Sequence, residues 1–162
     1  MFRKTGENDS EIWLSIVGKV YDVTAGRDFY GPGSGYSAFA GTDASVPYVT
    51  GKFTAEEATK ELNTITSQQV GALNDWADFY EKSDKYKFVG LLVDPRYYNE
   101  KGTPNEPLVE HQKISEERQE KDRLWKEKQK QETPAKKKKA RAKKVPARKT
   151  SYWSSWSRYW NG

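Results

Sequence analysis

Apolar and polar positions along the first hundred residues follow two different periods, and the changes of period divide the chain into elements. Residues 11–23 (EIWLSIVGKVYDV) place Ile12, Leu14 and Ile16 at every second position, then Gly18-Lys19, then Val20 and Val23, which predicts two strands joined by a tight Gly-X turn. Residues 29–45 (FYGPGSGYSAFAGTDAS) break that pattern. Gly31, Gly33, Gly35 and Pro32 exclude a continuing helix or strand, so the stretch is a shaped loop, followed by one helical turn over Ser37 to Ala40 that Gly41 stops. Residues 46–53 show no decisive period, and Pro47 argues against a regular element.

Thr54 with Glu57 spells a capping box and predicts a helix over about residues 55–62. Thr66 with Gln69 repeats the box, with Ile65 and Val70 placed as a hydrophobic staple. Val70, Leu73, Trp76, Ala77 and Tyr80 then recur at three and four residues, giving one apolar face through Glu81. Residues 88–93 (FVGLLV) form an apolar run of strand length, able to return to the first sheet and close the core. After Asp94-Pro95 the composition is that of a loop, and the domain is expected to end near Pro107. Residues 110–132 are dense in Glu, Lys, Gln and Arg with only Ile114, Leu124 and Trp125 apolar, so a helix there has little of its own to bury and His111 reads as exposed. Pro134 stops it.

The charge balance sharpens this division. Of the 28 Lys and Arg, ten lie in residues 133–162 with no Asp or Glu, leaving 18 basic against 23 acidic residues before them. An acidic body thus carries a strongly basic arm. At 162 residues the chain has room for one domain plus extensions: an N-terminal extension over 1–10, a domain over 11–107, a charged helical extension over 108–133 and a polybasic, Trp/Tyr-rich tail over 134–162. No stretch approaches the roughly 18 apolar residues of a membrane span, and the N-terminus lacks the apolar core of a signal peptide. The absence of cysteine excludes disulfides, thiolate metal sites and cysteine nucleophiles.

Candidate chemistry concentrates in the glycine-rich loop. Tyr30 and Tyr36 stand at its two ends, six positions apart, so a compact turn can aim both phenols into one cavity. Two such tyrosines, taken alone, are more often packing or turn residues than ligands. The segment from Gly18 to Ser45, GKVYDVTAGRDFYGPGSGYSAFAGTDAS, resembles the membrane-associated progesterone receptor family, a branch of the cytochrome b5-like haem and steroid-binding domains that includes neudesin and neuferricin. Its pattern there is V-x-DVT-x-G-x-x-FYGPGGPY followed by FAGRDAS. Leu73, Asp75, Trp76 and Phe79 resemble the family's L-x-DW-x-x-F helix, and Lys85-Tyr86 with Val89-Gly90 its closing KY-x-x-VG strand. The resemblance covers about residues 11–95.

That resemblance implies an α+β fold, cytochrome b5-like, in which a small sheet supports helices walling a haem crevice. It implies a haem b whose ferric iron is ligated by the phenolate of Tyr36 and left open on the opposite face, with Tyr30, Lys85 and Tyr86 around the ligand and its propionates. The chemistry is consistent: a phenol of pKa about 10 can be ionised at neutral pH by a trivalent metal, tyrosine is a known haem ligand type, and a lysine suits an anionic propionate. Thr42 departs from the family's arginine, Ser34 and Ser37 stand where glycine is common, and the family's N-terminal membrane segment and opening F-T-x-x-E-L are missing or reduced to residues 1–10. Either the chain is truncated or it reaches membranes otherwise. Two-histidine electron transfer is not expected, because the single histidine, His111, lies outside the matched stretch. Nor is an enzymatic activity, since no nucleotide-binding loop or second haem ligand appears.

In the tail, Tyr152, Trp153, Trp156, Tyr159 and Trp160 would share one helical face behind KKKKARAKKVPARK. The composition suits an anionic membrane surface, a docking peptide on a larger protein assembly, or RNA, and the basic run also resembles a nuclear localisation signal. The expectation is a peripheral, endomembrane-associated haem-binding module that presents or senses haem or partners haem enzymes such as cytochrome P450 enzymes, with mitochondrial and nuclear placements open. The competing expectation is an accessory structural subunit of a larger complex, with haem lost or optional.

Overall fold

A computed structural model describes residues 4–8 and 10–131. The chain divides into two units, Met1–Lys121 and Asp122–Gly162. The sheet, the core and the candidate site belong to the first; the expectations for residues 134–162 lie outside the described residues.

The alternating stretch forms strand β1 (Trp13–Ile16) and strand β2 (Lys19–Asp22), paired antiparallel with Leu14 opposite Tyr21. The turn is Val17-Gly18 rather than Gly18-Lys19. Both have positive φ, 47° and 72°, as the two-residue hairpin that follows strand twist requires. Gly18 is needed twice over, since a Cβ there would stand 2.7 Å from the Tyr97 Cβ and 2.8 Å from its ring. Val17 is a poor residue for that conformation, and it is held by its N–H donating to Ser45 Oγ at 2.8 Å.

Strand β3 (Lys87–Leu91) joins the other side of β2, giving the order β1-β2-β3. It closes the sheet rather than the core: Phe88, Val89 and Leu91 are all exposed. At the opposite edge the chain from the glycine-rich loop runs beside β1, with Ser15 N–H donating to Thr42 O and Ala44 N–H to Ser15 O, each at 2.9 Å. This edge pairing buries Ser15 and fixes where the loop ends.

The helices are α1 (Arg27–Tyr30), α2 (Ser45–Thr50), α3 (Ser67–Lys82) and α4 (Glu106–Gln131), the last running from the first unit into the second. Helix α2 forms where no element was expected. Pro47 sits in its first turn, where a backbone N–H has no intrahelical partner to lose, and Gly51 at φ 73° ends it. The helix expected over 55–62 is instead two 3-10 turns, Glu57–Thr59 and Leu62–Thr64. Only half of its capping box closes: Thr54 Oγ1 accepts from Glu57 N, while the Glu57 carboxylate takes the Lys60 ammonium at 2.7 Å. The Thr66–Gln69 box closes fully and starts α3.

The core joins Ile12, Leu14, Ile16 and Tyr21 of the sheet to Leu73 and Tyr80 of α3 and runs on to Tyr97 and Leu108. His111 is only 4 % exposed. It lies on the face of α4 that Leu108 seats, three residues on, so the expectation of an exposed histidine is overturned by helical periodicity.

Candidate functional site

The glycine-rich loop is shaped by its own hydrogen bonds. Helix α1 stops at Gly31, where a Cβ would stand 2.5 Å from the Arg27 carbonyl oxygen. Ser34 Oγ donates to the carbonyls of Gly31 (2.7 Å) and Phe29, Ser37 Oγ donates to Ser34 O at 2.9 Å, and Tyr36 N–H donates to Phe29 O at 3.0 Å. Serines at these positions therefore staple the bend. Thr42, where the related pattern has arginine, turns its hydroxyl back to Phe39 O at 3.1 Å and adds no charge.

The bend sets the rings of Tyr30 and Tyr36 6.5 Å apart, but with different surroundings. Tyr30 points inward. Its hydroxyl meets that of Tyr80 at 2.7 Å and lies 3.5 Å from that of Tyr48, which is 2.5 Å from the Tyr80 hydroxyl. Three phenols from α1, α2 and α3 thus share one buried knot. Tyr86 leans over it, 6.1 Å from the Tyr30 ring and 5.5 Å from that of Tyr80. Its hydroxyl is buried without a hydrogen-bond partner and faces Gly26, where a Cβ would approach it to 2.7 Å.

Tyr36 is half-buried at the lip. Its ring stacks on Phe39 (5.9 Å, 15°) and takes the edge of Phe53 (6.0 Å, 67°). Phe39 packs on Tyr48 at 4.5 Å, and Tyr48 stacks on Trp76 at 4.6 Å, so the wall behind Tyr36 is aromatic to α3. The Lys85 ammonium stands 5.8 Å from both the Phe29 and the Tyr86 rings, placing one cation at the rim.

Burial holds the inner phenols protonated. Desolvation is the largest cause for Tyr30, Tyr48, Tyr80 and Tyr86, and it raises every one of them; for Tyr30 the hydroxyl contacts oppose it in part. Four neutral hydroxyls lie inside, and Tyr36 is the half-exposed phenol of the cluster. Among the described residues no cluster of three or more His, Cys, Asp or Glu could hold a metal ion.

The loop exit is fixed from below. Asp43, buried, accepts from Ser45 Oγ at 2.6 Å and from the Tyr97 hydroxyl, with Arg96 at 3.5 Å. Arg96 in turn holds Asp94 through two contacts of 2.9 and 3.0 Å and donates to Ala58 O at 2.9 Å.

The structure brings Tyr30, Tyr36, Lys85 and Tyr86 into one neighbourhood, although the Tyr30 hydroxyl is turned into the knot with Tyr48 and Tyr80. Sequence reasoning missed Tyr48 and Tyr80 as polar members of the site. Tyr48 lies in the stretch without a period, and Tyr80 counts as an apolar helix position. A hydroxyl where phenylalanine would complete the face was the available signal.

The family model described as "Cytochrome b5-like Heme/Steroid binding domain" matches residues 2–86. The chain is similar to neuferricin of Mus musculus, 41 % identical over 105 residues, which is 65 % of this chain and 39 % of that protein. It is also similar to membrane-associated progesterone-binding protein 4 of Arabidopsis thaliana, 44 % identical over 97 residues, 60 % of this chain and 38 % of the relative. The chain therefore spans less than half the length of the curated relatives it matches. The solution structure of a putative steroid-binding protein from Arabidopsis aligns with a TM-score of 0.50 at 38 % identity, covering 57 % of this chain and 89 % of that one.

Proposed function

The chain belongs to the cytochrome b5-like haem/steroid-binding domain family, with that family's α+β fold, and from this membership we propose that it is a haem-binding module whose axial ligand is the phenolate of Tyr36. The observation that carries the reading is the contrast within one aromatic cluster: four phenols are buried and held neutral, while Tyr36 stands half-exposed, with the Lys85 ammonium over the neighbouring Phe29 and Tyr86 rings.

The residues present fit such a group by their chemistry. Haem when bound would supply an iron able to take an oxygen ligand. Tyr36 would hold it through oxygen, Lys85 would meet a propionate carboxylate, and the unpartnered Tyr86 hydroxyl would gain a hydrogen-bonding partner. Tyr30 positions rather than ligates, because its hydroxyl is committed to Tyr80 and Tyr48. The rings of Phe39 and Phe53 flank the Tyr36 ring.

In this role the protein presents or senses haem, or partners haem enzymes such as cytochrome P450 enzymes, without an activity of its own. No helix among the described residues is long and apolar enough to cross a membrane, and we assign membrane or assembly contact to residues 134–162. One observation favours the structural alternative, in which haem is optional: Phe53 already packs edge-on against both Tyr36 and Phe39, 4.9 Å from the latter. Titration of the full chain with haemin decides. Stoichiometric uptake with a tyrosinate-type ferric spectrum, lost in Tyr36→Phe and retained in Tyr80→Phe, is expected; no uptake by the folded wild type overturns the haem reading in favour of the structural one.

A further inference from the structure

The aromatic lip around Tyr36 is flanked on one side by a piece of chain that few contacts hold. Of the rings grouped there, Phe39 is 1 % and Tyr48 7 % exposed, whereas Phe53 is 38 % exposed. Phe53 meets the Tyr36 ring edge-on at 6.0 Å and the Phe39 ring at 4.9 Å, and these are its ring contacts among the described residues. Its backbone adds nothing. Neither its N–H nor its C=O is hydrogen-bonded to a described residue, and the Lys52 N–H before it reaches the Thr50 hydroxyl at 3.4 Å on the exposed surface.

The segment is nevertheless anchored at both ends. Gly51, at φ 73°, caps α2 with its N–H on Pro47 O at 2.9 Å. Thr54 accepts from Glu57 N–H through its hydroxyl and from Ala58 N–H through its carbonyl, each at 3.2 Å. Lys52 and Phe53 thus span two fixed points, and residues 51–56 are all exposed. Turning Phe53 outward breaks two edge-to-face ring contacts and no hydrogen bond, and it asks no change of α2, of Phe39 or of the tyrosine knot. A segment held this way has the makings of a lid.

We propose that residues 51–54 are a strap that gates the Tyr36 site, with Phe53 as its latch. Closed, the Phe53 ring lies against Tyr36 and Phe39; open, it leaves the edges of both rings to an incoming ligand. As a gate for haem the strap rests on the haem reading, whereas as a cover of the Tyr36 ring it does not. A ligand that needs the open strap binds more weakly in proportion to the fraction of molecules that are open. The strap therefore sets affinity and rate without touching the ligating oxygen.

The full chain without haem is treated with tetranitromethane, and nitration is followed tyrosine by tyrosine by peptide mass spectrometry in the wild type, Phe53→Ala and Phe53→Leu. Phe53→Ala is expected to nitrate Tyr36 about fivefold faster, the worth of one aromatic pair of ~1 kcal/mol. Phe53→Leu is expected to show a smaller increase, and it serves if Phe53→Ala does not fold. The buried Tyr30, Tyr48 and Tyr80 are expected to stay as slow as in the wild type. Stopped-flow mixing of the same proteins with haemin is expected to show faster and tighter uptake in Phe53→Ala. Unchanged Tyr36 nitration in the variants, nitration of Tyr30, Tyr48 and Tyr80 rising with it, or a haemin association rate that Phe53→Ala leaves unaltered overturns the proposal. Faster Tyr36 nitration with no haemin uptake by any of the three proteins upholds the strap and removes haem as what it admits.

Discussion

Removing a single oxygen from Tyr80 and from Tyr36 separates what holds the fold from what serves the ligand. Tyr80 is fully buried, and its hydroxyl is the closest partner of two other buried phenols, at 2.7 Å to Tyr30 and 2.5 Å to Tyr48. In Tyr80→Phe those two are left 3.5 Å apart, at the limit of a hydrogen bond, so at best one donates weakly to the other, whose own O–H is left without an acceptor. Leaving one buried hydroxyl unpaired costs ~1–3 kcal/mol, and no cavity of methyl size accompanies it. Tyr36→Phe removes an oxygen from a half-buried ring whose stacking on Phe39 stays intact, so its cost is within about 0.5 kcal/mol. Urea denaturation of the two variants and the wild type, fitted with a common m-value, measures both. The expected pattern is a destabilised Tyr80→Phe that still takes up haemin beside a stable Tyr36→Phe that does not. Equal stability of the two variants, or a Tyr36→Phe as unstable as Tyr80→Phe, refutes the assignment of inner and outer phenols.

Two further outcomes follow from the same cluster. Gly26→Ala places a methyl 2.7 Å from the Tyr86 hydroxyl and 3.1 Å from the Tyr30 ring, and is expected to cost ~1–3 kcal/mol by overpacking although its backbone angles suit alanine; denaturant midpoints test it, and a neutral result means Tyr86 moves freely. In alkali, Tyr30, Tyr48, Tyr80, Tyr86 and Tyr97 have folded pKa values raised above the unfolded 10.0, chiefly by burial, and Tyr21 is pushed up to about 12. A raised folded value means the unfolded chain releases the proton first, so stability is full below about pH 10 and falls as pH rises beyond it. Absorbance at the phenolate band should therefore show these six rings ionising together with loss of tertiary circular dichroism, and smooth ionisation of all ten tyrosines before unfolding would contradict the burial described.

The sheet hairpin, the start of α3 and the company of Tyr30, Tyr36, Lys85 and Tyr86 are legible in the sequence, because each rests on local pattern or on a family resemblance that residues 18–45 carry. What was hidden depends on partners far along the chain. Pro47 reads as a breaker until its place in the first turn of α2 is known. The 55–62 stretch has a cap but loses the helix because Glu57 spends its carboxylate on Lys60. His111 looks exposed among charged neighbours, yet Leu108 anchors that face of α4 in the core. The β3 run looks like a core strand, whereas it pairs with β2 and leaves Phe88, Val89 and Leu91 exposed. The hydroxyl knot joins residues 18, 32 and 50 positions apart, a separation no short window reports.

That separation has a bearing on the order of events during synthesis. The Tyr30 hydroxyl finds its 2.7 Å partner only after fifty more residues have been made and α3 has coiled against the sheet. Until then the bend bearing Tyr36 is closed by its own serines but not moored to the body. The tyrosine knot therefore closes late, so a nascent chain that stops short of Tyr80 carries both Tyr30 and Tyr36 and yet lacks the anchor that moors their bend.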